Sequence, residues 1–491
     1  MKKIHIFLIF LLAISVMGCE DFLEVSPASI ITSQNMWQDE AGAEAGIAGM
    51  YNRFRQAYNT GGQPDYRPLV YFELRTGFWQ TGQSGAAQWD DLFFNTPNAT
   101  STPSLNWTAL YNTINAANLA LKYVPQIDFF DQNKARTYLA DAYFVRAFCY
   151  FTLVRVWGDV PVSVRPYESY DDDNLLPGRT SKAQVYTLIK SDIEQALAHM
   201  EDNTTRNRVM ANKAAINMLK TEVYLWTAKR EGGGRADLDI AFAAVESVLA
   251  SPGYRLLPNY EQVFRVDRND EIIFSIHFDQ IEADNQYGTV FMWLSGQVDL
   301  SYRHNPVPVG TSHQWLTYRD DFINNYLLKT PGDTRAPVIN QDFVAPNRTY
   351  RWVNKYLGEL IGDVYYDTSD TRIYRFAEAI LFRSEILNAI GRTSEAITEL
   401  NKVAKRAYGV DNFYPGTMSQ QETDDAILHE RIIEFAAELK SWYDIIRFGK
   451  AFEIIPSLVG RENEYEGNIL LLPISPNTLM KNLNIQQTPG F

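Results

Sequence analysis

The sequence predicts a mainly α protein: helix pairs of the tetratricopeptide type form a superhelix, interrupted by a loop-rich insertion with a few short strands. Three observations predict it. Helical periodicity dominates residues 36–250 and 371–455. Short turn-forming segments, Gly232-Gly233-Gly234 and Gly391-Arg392, join helices of similar length into pairs. Between the two helical regions the periodicity is lost, and residues 254–370 become rich in Gly, Pro, Asn and aromatics.

In chain order, a helix over 133–156 places Tyr138, Ala142, Val145 and Cys149 on one face. It stops at Gly158, with Pro161 just beyond. A second starts from a Thr180-Ser181 cap and runs to 200 through Val185, Ile189, Ile193 and Ala196. Helices over 211–229 and 236–250 form a hairpin, and the pattern recurs over 373–390 and 394–407. Within the insertion, 271–276 and 350–356 read as strands.

Composition excludes several classes. Of 491 residues, 45 are basic and 59 acidic, a net charge of −14 that repels phosphate backbones, so no nucleic-acid partner is expected. Two cysteines, Cys19 and Cys149, cannot build a disulfide framework or a Cys-based zinc site. The six histidines show no His-Glu-x-x-His spacing, and His304 and His313 sit irregularly in a loop, so no metal and no cofactor is expected. Nucleophile elbow and phosphate loop are both absent from the sequence, which reads as a binder and not an enzyme. Glu430, Glu434 and Glu438 share a helical stripe; an Arg-paired or solvated face is favoured there over metal or acid–base chemistry. Asp171-Asp172-Asp173-Asn174 reads as a solvated turn ahead of a calcium loop, since the glycine and distal Glu of an EF-hand are missing.

The N-terminus sets the compartment. Lys2 and Lys3 precede an apolar run over 4–17, too short for a permanent membrane span, and Val16-Met17-Gly18-Cys19 follows. That junction resembles a bacterial lipobox, with Cys19 as the lipidated residue. Lipidation of Cys19 anchors the chain to the membrane, and several acyl chains on one residue hold far more firmly than one.

Aromatics are abundant: 10 Trp, 28 Tyr and 27 Phe. Many fall in two loop-rich stretches, 58–106 and 254–370, where binding is usually placed on a helical scaffold. The two stretches are expected to form one composite site. Its candidate ligand contacts are Arg75, Trp79, Trp89, Asp90 and Asn95 from the first, with Tyr287, Trp293, Tyr302 and Trp315 from the second. Indole and phenol faces stack on the C–H face of a sugar, while amide, carboxylate and guanidinium groups orient its hydroxyls. For each tryptophan, packing under a loop is the competing reading.

Four segments together resemble the SusD/RagB family of outer-membrane nutrient-binding lipoproteins of the Bacteroidetes type. They are Cys19-Glu20-Asp21-Phe22-Leu23-Glu24; Ala140-Asp141-Ala142-Tyr143-Phe144-Val145-Arg146-Ala147, continuing to Trp157-Gly158-Asp159-Val160-Pro161; Glu430-Arg431-Ile432-Ile433-Glu434-Phe435, continuing to Trp442-Tyr443-Asp444; and the tail Asn484-Ile485-Gln486-Gln487-Thr488-Pro489-Gly490-Phe491. The chain departs from the family at Leu439 and Ser441, where Gly and Arg are usual, and at Thr488 and Phe491.

The resemblance implies a lipid-anchored lid, facing the cell exterior, on a SusC-like TonB-dependent outer-membrane barrel. It implies capture of oligosaccharide for import; a peptide-binding lid, or a protein-interaction scaffold without a small ligand, are the alternatives. The expected layout is a signal peptide (1–18), a lipidated tether (19–38), a helical region (39–253) holding the aromatic loop 58–106, the ligand-binding insertion (254–370), C-terminal helix pairs (371–455) and a tail packed on the scaffold (456–491).

Overall fold

The computed structural model describes residues 36–58, 67–83, 85, 89–99, 106–169, 175–200, 207–281, 290–310, 314–362 and 364–491. Cys19, Tyr287, His313 and residues 171–174 lie outside them, as do the signal peptide and most of the tether.

Helices dominate and pack in sequential pairs. The long ones are α1 (Glu40–Tyr58), α2 (Thr108–Tyr123), α3 (Gln132–Trp157), α4 (Lys182–His199), α5 (Lys213–Arg230) and α6 (Gly234–Leu249). After the insertion come α7 (Phe376–Ala389), α8 (Thr393–Tyr408), α9 (Gln420–Glu434) and the short α10 (Ser441–Arg447). The pairs are α1 with α2, α3 with α4, α5 with α6 and α7 with α8. Helix α6 also packs on α7, so the superhelix runs on across the insertion between them.

Helix α3 is the hub. Asp131 caps it, its side chain accepting from the Asn133 N–H at 2.9 Å, and Gly158 ends it at φ 75°, where a side chain would be strained. From Phe144 to Trp157 every residue is buried, the signature of a helix surrounded by others. Its charges are paired within the core: Arg146 grips Asp192 at 2.8 and 2.6 Å, and Arg155 meets Glu222 at 2.8 Å.

Strands are short and belong mostly to the insertion. β1 (Trp79–Thr81) comes from the first aromatic loop, β2 (Ile272–Ile276) and β3 (Leu316–Tyr318) from the insertion. A hairpin joins β4 (Asn340–Ala345) to β5 (Arg348–Val353), and β6 (Thr371–Arg375) returns beside β2. The helical reading of Ile373 is corrected here. Ile373 to Arg375 extend the pairing with β2, and α7 starts only at Phe376, whose N–H bonds the Glu271 carbonyl at 2.8 Å.

The stripe of Glu430, Glu434 and Glu438 is paired with cations and wholly buried, not solvated. Arg335 meets Glu430 at 2.6 Å, Arg375 meets Glu434 at 3.0 Å and Glu438 at 2.6 Å, and Lys355 meets Glu438 at 2.6 Å. Arg406 of α8 also binds Glu434. Arg335 and Lys355 belong to the insertion, so these ion pairs bolt it to α9. The turn after α9 holds Ala437 at φ 61° and Leu439 at φ 65°, a left-handed region that favours glycine.

Candidate functional site

The two aromatic stretches meet. β1 pairs antiparallel with β3, setting Trp79 opposite Tyr318 and Thr81 opposite Leu316. From that pairing grows a stack of rings. Trp79 lies 4.1 Å from Tyr318, Tyr318 4.4 Å from Phe322, Phe322 5.3 Å from Tyr326 and Tyr326 5.6 Å from the His429 ring, with interplanar angles of 21–24°. Below Trp79 the stack continues through Phe291, 5.3 Å away, to Tyr356. Tyr318 ends β3, and the helical turn that follows brings Phe322 and then Tyr326 onto one face by their spacing of four, with a π-turn over Ile323–Leu327; such turns concentrate at functional sites.

One end of the stack is closed and the other is open. Trp79 and Tyr318 are buried, whereas Tyr326 and His429 are half-buried in the wall of a groove of about 680 Å³. Phe78, whose ring packs on Phe322 at 4.8 Å and Tyr326 at 5.3 Å, lines it too, as do Phe93 and Phe94, and Phe94 is 62% exposed. Arg319, Asp321, Asn325 and Lys329 stand at its rim. Burial lowers the His429 pKa, leaving a neutral imidazole that can donate to and accept from hydroxyls at neutral pH. A groove of this size, with ring faces and a few polar groups, suits a flat polyhydroxylated ligand.

Most of the residues singled out from sequence are elsewhere. Arg75, 2% exposed, donates from Nε to Asn95 at 2.8 Å and from Nη1 to the Leu470 and Leu471 carbonyls at 3.0 and 3.1 Å. It also lies over the Trp442 ring, 4.5 Å from its centroid. Asn95 donates to Ser457 and to the Arg75 carbonyl. The pair clamps the C-terminal tail, and neither side chain has room for a ligand. Trp79 donates to Glu73 at 3.3 Å inside the core, and Trp89 is buried beside Trp315, ring centroids 6.3 Å apart. Trp293 donates to the Arg351 carbonyl at 2.9 Å and anchors a small apolar cluster under the hairpin with Tyr350 and Trp352. These three tryptophans are buried, and each indole N–H or ring face has a protein partner or neighbour. Tyr302, half-buried, leans on Phe343 at 5.0 Å, and Trp315 is half-buried. Asp90 is exposed but does not line the groove. The groove instead uses Phe94, Tyr326 and His429, which sequence reasoning did not select. The spacing of Tyr318, Phe322 and Tyr326 was the available signal.

The stacked helical frame is of the tetratricopeptide-like class, and it carries an aromatic groove. Two family models match, one described as SusD family over residues 324–491 and one as "starch-binding associating with outer membrane" over 21–225. A SusD-like protein, P38, of Formosa agariphila is 28% identical over 94% of both chains. The starch-binding protein SusD of Bacteroides thetaiotaomicron is 22% identical over 70% of this chain and 72% of its own. The solved structure of a SusD superfamily protein from Bacteroides fragilis superposes with a TM-score of 0.80 at 28% identity, covering 93% of this chain and all of that one. The chain belongs to the SusD family, a starch- and glycan-binding family that associates with the outer membrane.

Proposed function

We propose that this protein captures a neutral oligosaccharide in the groove between Phe94 and Tyr326 and delivers it to a TonB-dependent outer-membrane barrel. It acts without transforming the sugar. A lipid on Cys19 tethers it to the outer membrane, facing the cell exterior. The observation that carries the reading is the groove itself: an exposed Phe94, Tyr326 and a neutral His429 line it, with amide and charged groups at the rim. Ring faces supply apolar contact to sugar C–H groups, and the rim supplies directed hydrogen bonds.

Calorimetry against malto-, laminari-, cello- and xylo-oligosaccharides tests it. Binding should be weak, in the micromolar to millimolar range that corresponds to about −8 to −4 kcal/mol. It should change little with salt, because stacking is not screened. Chromatography of the same mixtures should show no shortened product. Tight binding to peptides and none to glycans would overturn the reading. Extraction in mild detergent should co-purify a much larger barrel protein, and Cys19→Ala should move the protein to the soluble fraction.

A further inference from the structure

The groove does not end at Tyr326. Tyr326, Lys329, His429 and Ile454 also line a second hollow of about 470 Å³, so the two cavities share a wall. Phe413, Tyr414, Asp425 and Glu453 line this second hollow and not the first. The Tyr414 hydroxyl is committed to Glu430 at 2.7 Å, so this residue offers the hollow its ring. Asp425 and Glu453 flank Lys450, whose Nζ lies 3.2 Å from Asp425 and 2.8 Å from Glu453. Their side chains are 51% and 67% exposed; Asp425 also accepts from Gln421 at 3.1 Å and both Glu453 oxygens accept from Lys450, which leaves each carboxylate further lone pairs.

We propose that this second hollow is a further subsite for the same chain, receiving the next rings of a neutral oligosaccharide. Asp425 and Glu453 accept its hydroxyl hydrogens, and His429 bonds the ring at the crossing. The proposal rests on the oligosaccharide reading of the first hollow. Hydrogen bonds from hydroxyls to carboxylates are charge-assisted and among the stronger ones available to a sugar. A short ligand fills the first hollow and never reaches Asp425. Affinity therefore depends on chain length.

Calorimetry with the malto- and laminari-oligosaccharide series, from disaccharide to heptasaccharide, reads this out. In the series that binds, affinity should rise about tenfold from the shortest binder to the heptasaccharide, the value of one added charge-assisted hydrogen bond. Asp425→Asn with Glu453→Gln should bring the heptasaccharide down to the affinity of the short binder, with the thermal melt of the variant checking that it is folded. Equal affinity at every length, or a variant that weakens all lengths by one factor, overturns the second subsite and leaves the oligosaccharide reading standing. Heptasaccharide affinity unchanged in the double variant likewise overturns it. Binding by none of the malto-, laminari-, cello- and xylo-series overturns both.

Discussion

Around α9 the molecule buries charge, while in the insertion it buries rings. The first region is closed on every side: Glu430, Glu434 and Glu438 are matched by Arg335, Arg375, Arg406 and Lys355. The second is closed at one end only, since the stack that begins at Tyr356 and Trp79 surfaces at Tyr326 and His429. A buried charge tolerates no half-open state, because an ion without its partner keeps the whole desolvation cost. A ring can be half-covered and still contribute in proportion to the area it hides. The charged region thus holds the insertion in place, and the aromatic region is free to present a surface.

The largest test of that contrast is to break the charge network. Glu434→Gln leaves Arg375 and Arg406 short of a counter-charge and should cost about 3–5 kcal/mol or prevent folding. Thermal melts of purified variant and parent measure it. A melt within a degree or two of the parent would show that α9 does not hold the insertion.

The two ends of the stack should then separate. Trp79→Ala removes a buried ring and should cost about 3–5 kcal/mol of stability. Phe94→Ala and Tyr326→Ala, at the open end, should leave denaturation midpoints nearly unchanged for Phe94 and moderately lower for Tyr326. Both should weaken oligosaccharide binding by about 1–2 kcal/mol. If Phe94→Ala binds like the parent, the open end of the stack is not the ligand face.

The pH dependence should differ between the regions as well. Burial works to raise the Glu385 carboxyl, but Arg447 and Lys229 hold it at about 2. Its contribution to stability is therefore present above the ordinary 4.5 and lost as pH falls from 4.5 toward 2. Glu73, beside Trp79, is pushed up to about 8 by burial. Its contribution is full below 4.5 and is lost as pH rises toward 8. Glu73→Gln, which mimics the protonated acid, should remove the loss of stability between pH 4.5 and 8 and leave the profile below 4.5 alone. An unchanged slope between pH 4.5 and 8 would mean that Glu73 is ionised in the folded protein.

The smallest effect is expected at Leu439. Its left-handed backbone costs about 1–2 kcal/mol for an L residue, while its buried side chain contributes about 1.5–3 kcal/mol. Leu439→Gly trades one for the other, so a net loss of about 1 kcal/mol or less is expected in urea titration. A loss several times larger would show that the side chain, and not the turn, fixes the end of α9.

Much of the frame was legible. Periodicity from residue 133 and the break at Gly158 place α3 where it falls, the Asp131 cap coming only from the structure, and the α5–α6 hairpin follows from its glycines. Strand β6 was missed at Ile373, since a short apolar run beside a helix has no period of its own and only its pairing with β2 defines it. The meeting of the two aromatic stretches was also legible as an expectation, because long loops on one scaffold tend to converge.

The sequence by itself determined the helix pairs, the loss of periodicity in the insertion and the aromatic and acidic character of the chain, all local or additive properties. Only the tertiary structure decided which rings face inward. Trp79 and Tyr326 belong to one stack, yet opposite neighbours bury the first and uncover the second. It also decided that Glu430, Glu434 and Glu438 are buried, since their cations lie as far away as Arg335 and Lys355 in the insertion. Burial is set by what packs against a residue from distant parts of the chain, and no local pattern carries that information.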